Sequence, residues 1–129
     1  MEQIDRFFDA TMFAVAGASK QRDKYGNKVF RALLAAGYLT YPLNPKEGFI
    51  EGHQAFVILC KLPVVPEPVS IITPPTVTAQ IVEDAITCGV KQIWMQPGAE
   101  NEDAAKSTRH AGLNVIDNGS CILVWLALR

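Results

Sequence analysis

The chain has few residues suited to metal, disulfide or acid–base chemistry. Its three cysteines, Cys60, Cys88 and Cys121, are odd in number and form no C-x-x-C pair. That argues against a disulfide framework and against a zinc set, and makes a reducing cytoplasm the expected compartment. There are two histidines. His53 falls in an ill-defined loop and His110 at the polar end of a helix. Position alone gives neither a serine, cysteine or acid partner, so both read as solvated or structural and no catalytic residue is assigned. No apolar run approaches the roughly 20 residues of a membrane span. The first five residues are acidic and lack a signal-peptide pattern. A formal net charge of −1 offers no basic field for nucleic acid. What remains is 129 residues, 49% hydrophobic and 19% charged. This is the composition of one globular domain over 1–129, large enough for an ordinary core.

The chain is organised around residues 13–19, an apolar run ending in Gly17, Ala18 and Ser19, followed by the basic loop 20–26 and a helical pattern at Val29, Leu33 and Leu34. That is the grammar of a first strand, a tight turn and a first major helix. Before it, Ile4, Phe7 and Phe8 recur at i, i+3, i+4 and predict a short amphipathic helix. Asp23 is the expected cap of the next helix, which runs to Ala36 with Gly37 as its stop. A second strand is read over 38–43, with Pro42 opening its end into the loop 44–48. The segment 49–68 is ambiguous: Phe56 to Cys60 fits a short strand or a buried helical turn, and three prolines then mark an extended connector. Strands follow at 69–73, 90–95 and 113–116, with helices at about 76–88 and 100–111 between them. In the second of these helices Glu100, Glu102 and Asp103 suit the positive end of the dipole, although Glu102 could face a crevice. Residues 121–128 close the core as a short helix or a last strand. The alternation predicts an α/β domain of three layers with a mostly parallel sheet of about five or six strands.

In such a sheet the turns after the strands share one rim. Ala18-Ser19, Asn44-Pro45, Thr73-Pro74-Pro75 and Gln96-Pro97-Gly98 each follow a strand, and four converging loops make a ligand crevice. Amides of the first turn are positioned to hold phosphate. The fingerprint of nicotinamide dinucleotides is incomplete: Gly17 is present, but Ser19, Gln21 and Arg22 stand where further glycines belong. At the end of strand two stands Asn44 rather than an acid, with Lys46 nearby. A carboxylate there would grip a free ribose diol and repel a phosphorylated one, so its absence permits a nucleotide carrying extra phosphate. Lys20, Arg22, Lys24 and Lys28 add positive charge. A solvated surface loop explains most of them; Lys24 and Ser19 are the ones singled out for function.

Taken in series, Gly17-Ala18-Ser19, Lys24-Tyr25-Gly26, Leu43-Asn44-Pro45, Thr73-Pro74-Pro75, the stretch from Ile93 to Gly98 and finally Cys121 resemble the small stand-alone CoA-binding proteins. These are similar to the CoA-binding domain of the succinyl-CoA synthetase alpha subunit. The resemblance spans about the whole chain and matches least over 47–62. It implies a Rossmann-like fold that binds coenzyme A or an acyl-CoA as sensor, carrier or accessory. Carried over, it gives Gly17, Ala18 and Ser19 to the pyrophosphate, and Lys24, with Tyr25 beside it, to phosphate. Asn44, Pro45 and Lys46 border the adenosine and its 3′-phosphate. Thr73, Pro74 and Pro75 form a wall, and Gln96, Pro97 and Gly98 flank the pantetheine. The synthetase's second domain, with its phosphorylated histidine, is lacking, so the resemblance leans against catalysis by this chain alone. A nicotinamide- or other nucleotide-binding module, and an accessory subunit of a larger acyl-CoA enzyme, are the alternative readings. Homo-oligomers are left open; no metal, nucleic acid or membrane partner is expected. Cys121 reads first as a core cysteine and second as a partner for mixed-disulfide formation with the CoA thiol.

Overall fold

The computed structural model describes residues 2–129. In chain order the elements are α1 (Glu2–Phe8), β1 (Met12–Ala16), α2 (Tyr25–Ala35), β2 (Leu39–Leu43), β3 (Phe49–Ile50), β4 (His53–Gln54), a 3-10 turn (Leu59–Lys61), β5 (Pro68–Ile71), α3 (Pro75–Thr87), β6 (Gln92–Met95), α4 (Glu102–His110), β7 (Asn114–Ile116) and α5 (Ile122–Ala127). Five strands form one sheet in the order β2-β1-β5-β6-β7, with every pairing parallel. The fold is α/β and Rossmann-like, as the alternation of elements requires.

Successive residues of a strand point to opposite sides, so a strand that is apolar throughout needs cover on both faces. The core divides accordingly. Ala14 and Ala16 join Val69, Ile71, Ile93 and Met95 beneath Val82 and Ala85 of α3 and Ala104 and Ala105 of α4. Phe13 and Val15 join Trp94 and Ile116 beneath α1, α2 and α5, where Phe7, Phe30, Leu33 and Ile122 are fully buried. The aromatic centre of this second layer is Phe7, whose ring lies 5.2 Å from Trp94 and 5.3 Å from Phe13. These contacts account for the Ile4, Phe7, Phe8 pattern of α1.

Two local expectations are corrected, and the segments left open are resolved. Asp23 does not cap α2: Lys24 holds the cap position with extended backbone and no side-chain bond. Glu100 lies outside α4, which is capped by Asn101, its side chain accepting from Ala104 N. In the ambiguous segment, β3 and β4 form a separate antiparallel hairpin and Phe56 makes a single bridge to Leu43. Val57 and Ile58 are exposed, and only then comes the 3-10 turn. The hairpin turns on Glu51 and Gly52, with φ of +50° and +80°. A two-residue turn with both φ positive follows the right-handed twist of its strands, but a glutamate rarely occupies its first position. The side chain has a use elsewhere, described below. Residues 121–128 resolve as the helix α5 rather than a strand.

Candidate functional site

Chain direction places the turns after β1, β2, β5 and β6 at one end of the sheet. The order of strands reverses between β1 and β5, since β1 connects onward to β2 on one side while β5 lies on the other. In open α/β sheets the crevice lies at that reversal. Here its two walls are the turn after β1 and the turn after β5, and they are in contact. Gly17 has φ +91°, and a Cβ on it would stand 2.2 Å from Ile72 O. Ile72 N donates to Ala16 O at 2.8 Å, and Gly17 N to Leu43 O at 3.1 Å. The first turn is thus joined to both neighbouring strands. Gly26, in the first turn of α2, packs against it from behind: a Cβ there would meet Gly17 O at 2.0 Å. The N-terminus of α2 can approach this closely because neither partner carries a side chain.

Two asparagines hold the loop that follows. Asn44 Nδ2 donates to Ala18 O at 2.8 Å, while its Oδ1 accepts from Lys46 N at 2.7 Å and Glu47 N at 3.0 Å. Asn27, fully buried, donates from Nδ2 to Ser19 O at 2.9 Å and to Glu51 Oε2 at 3.0 Å, and its Oδ1 accepts from Arg31 Nε at 2.5 Å. Ser19 Oγ accepts from Gln21 N at 3.1 Å. The structure therefore brings Gly17, Ala18, Ser19, Asn44 and Lys46 together.

The cations of the loop divide into two sets. Lys20 Nζ lies 3.4 Å from Glu47 Oε2, and Arg22 Nε 3.5 Å from Glu51 Oε2. Both acids belong to the segment between β2 and β4, so that segment neutralises the outer part of the loop. Lys24, Lys28 and Lys46 have no ion pair among the described residues, and Lys28 Nζ sits 5.3 Å from the centre of the exposed Tyr25 ring. Positive charge free to meet a phosphate is concentrated at these three lysines.

On the other wall, Pro74 and Pro75 are exposed and open α3, Pro75 at a position where no backbone N–H is needed. The Thr73 hydroxyl is tied back to Thr78 Oγ1 at 2.8 Å. Asn101 Nδ2 donates to Pro75 O at 2.8 Å and so joins the starts of α3 and α4. After β6, Pro97 and Gly98 are exposed and Gly98 N donates to Glu100 Oε1 at 2.7 Å. The Gln96 side chain turns inward. It is 3% exposed, donates to Cys121 Sγ at 2.9 Å and accepts from Ile122 N at 3.0 Å. Gln96 thus holds α5 to the sheet. His53 and His110 are exposed and stand apart from these turns, His53 with its ring 5.5 Å from Phe30.

Concavities of about 370 Å³ open elsewhere, one between Thr11 and Glu67 at the far end of the sheet, one beside Lys106 and His110 on α4. Volume therefore does not mark the rim. Its claim rests on convergent backbone, polar side chains and free cations. Sequence reasoning missed Asn27, Glu47, Glu51 and Thr78. For Asn27 a signal existed: a polar residue on the buried stripe of α2 beside Val29 and Phe30 needs a partner.

The model of the CoA binding domain matches residues 11–127. The chain belongs to this CoA-binding family. Among solved structures, it is 35% identical to a conserved hypothetical protein from Pyrococcus furiosus, over 88% of this chain and 97% of that one, with a TM-score of 0.83. A hypothetical protein from Pyrococcus horikoshii OT3 is 31% identical over 95% of this chain and 87% of that one, with a TM-score of 0.90. The dinucleotide-forming acetyl-coenzyme A synthetase 1 of Ca. Korarchaeum cryptofilum is 25% identical over 90% of this chain, with a TM-score of 0.77, but the match spans only 28% of that longer chain. The chain is thus similar both to proteins of about its own length and to one part of a long synthetase chain. No helix among the described residues is long and apolar enough to cross a membrane.

Proposed function

We propose that the chain binds coenzyme A or an acyl-CoA along the rim, with no chemistry of its own, as a sensor, carrier or accessory. Membership of the CoA-binding family is the observation that carries the reading. The geometry supports it at the turn after β1, where close packing, unpaired lysines and a loop of small residues suit a pyrophosphate. In this reading Gly17, Ala18 and Ser19 face the pyrophosphate and Lys24 pairs with phosphate. Lys46, Asn44 and Pro45 border the adenosine end, Pro74 and Pro75 supply an apolar wall, and Pro97 and Gly98 lie toward the pantetheine. Gln96 stands beside them as a support, its side chain committed to Cys121 and Ile122 and its N–H to Ile71 O. When bound, the cofactor supplies a thiol that carries the acyl group.

Calorimetry with CoA, dephospho-CoA and NAD(H) tests this. CoA is expected to bind more tightly than dephospho-CoA, because the free lysines add charge for the extra phosphate. No heat with CoA or short acyl-CoAs at millimolar concentration overturns the reading, and equal or tighter binding of NAD(H) transfers it to dinucleotides. Ser19→Trp is expected to abolish binding while leaving the far-ultraviolet circular dichroism unchanged. A second reading, accessory subunit of a larger acyl-CoA enzyme, is favoured by the partial match to the synthetase chain. Co-purification with a nucleotide-triphosphate-using partner would support it.

A further inference from the structure

We propose that Asn27 and Asn44 are positioning residues that aim two consecutive backbone N–H groups, those of Ser19 and Lys20, at a ligand phosphate. The inference rests on the reading of the rim as a site for a phosphorylated cofactor, and it concerns how that site is built.

The argument starts from peptide planarity. In a trans peptide the C=O of one residue and the N–H of the next point in opposite directions, and no peptide among the described residues is cis. The peptide between Ala18 and Ser19 is held by its carbonyl, which accepts from Asn44 Nδ2 at 2.8 Å. The next peptide is held in the same way, its Ser19 carbonyl accepting from Asn27 Nδ2 at 2.9 Å. Each asparagine therefore turns the following N–H away from itself. Among the described residues neither Ser19 N nor Lys20 N meets a protein acceptor. Successive backbone N–H groups left free in a turn can together hold an anion.

The orientation of each amide is fixed by its surroundings. Asn44 Oδ1 already accepts two backbone N–H groups. Asn27 Oδ1 accepts from Arg31, and the groups facing its Nδ2 are both acceptors, Ser19 O and Glu51 Oε2. A flip of either would set oxygen against oxygen. Glu51 gains a purpose here. Its carboxylate holds Asn27 from the hairpin, which accounts for a glutamate at φ +50°. Asn44 thus acts through Ala18, and Asn27 through Ser19; neither needs to touch the cofactor.

The test is a nitrogen-15 spectrum of the full chain titrated separately with ADP, which carries the pyrophosphate ester, and with CoA. In the wild type the Ser19 and Lys20 amide protons are expected among the largest downfield movers with both. Asn44→Ala should cancel the Ser19 movement and keep that of Lys20. Asn27→Ala should do the reverse, and each should weaken ADP about tenfold, the scale of one hydrogen bond to a charged group. A merely structural role would move both amides together. Should Asn27→Ala fail to fold, the wild-type and Asn44→Ala titrations still decide. A CoA response across the spectrum that leaves these two amides unmoved overturns the inference and spares the functional reading, as do variants that lose both movements or neither. A response to ADP at these amides without any binding of CoA supports the inference and overturns the CoA reading. Silence of the whole spectrum toward both ligands overturns both.

Discussion

Gly26 has an ordinary backbone conformation, yet the space for a Cβ is occupied by Gly17 O at 2.0 Å. An alanine there would have to displace main chain, so Gly26→Ala is expected to cost at least the upper end of the roughly 1–3 kcal/mol of overpacking. Gly37 is the control: its φ is +92° but nothing lies within 4 Å, so alanine there faces only the left-handed penalty of about 1–2 kcal/mol. Urea unfolding of the two variants checks the order. Away from the rim, Cys60 Sγ donates to Asp84 O at 3.2 Å, the oxygen that also accepts from Cys88 N at 3.0 Å. Burial pushes the Cys88 thiol up to about 12, helped by the hydrogen bond and charge of Cys60. The unfolded thiol, near 9.0, loses its proton first. Stability linked to this group is therefore complete below pH 9 and falls as pH rises toward 12. Comparing pH-dependent melting of the wild type with Cys88→Ser should show a shallower alkaline decline in the variant.

Elements differ in how much of their cause is local. The Asn101 side chain caps α4 and also reaches Pro75 O. Its replacement by alanine is expected to lower stability by about 1 kcal/mol for the cap alone, and by more if the tie to α3 contributes; the urea midpoint measures it. Strands and helices of the main sheet were legible in the sequence because each carries its own signal, such as the unbroken apolar run of β1 or the Ile4, Phe7, Phe8 stripe of α1. The β3–β4 hairpin was not. Two residues per strand show no period, and its turn breaks the usual residue preference at Glu51. What holds it is tertiary: Ile50 buried in the α2 layer and Glu51 bonded to Asn27. The start of α4 was read two residues early, at Glu100 rather than Glu102, because an acid suits the positive end of a helix, and only the fold reveals that Glu100 serves Gly98 N.

At the scale of the molecule, parallel topology explains why the rim could be read before any coordinates. Once strands alternate with helices, every turn after a strand falls at the same end, so Gly17, Asn44, Thr73 and Gln96 were assigned to one place by counting elements. Side-chain direction was not legible: the inward turn of Gln96 depends on α5, which sequence alone left as helix or strand. A ligand that binds only the folded chain stabilises it by about 2.7 kcal/mol at a hundred times its Kd. Thermal unfolding with CoA is therefore expected to shift upward by several degrees, and to lose the shift in Ser19→Trp. The place of β1 in the sheet also governs how the protein is born. β1 is made before β5: Ser70, the partner of Val15, follows it by 55 residues. Until then one edge of an apolar strand has no neighbour and can pair with another nascent chain. Slow translation at low temperature, where chaperones keep pace with the ribosome, should accordingly give more recoverable protein than rapid overproduction.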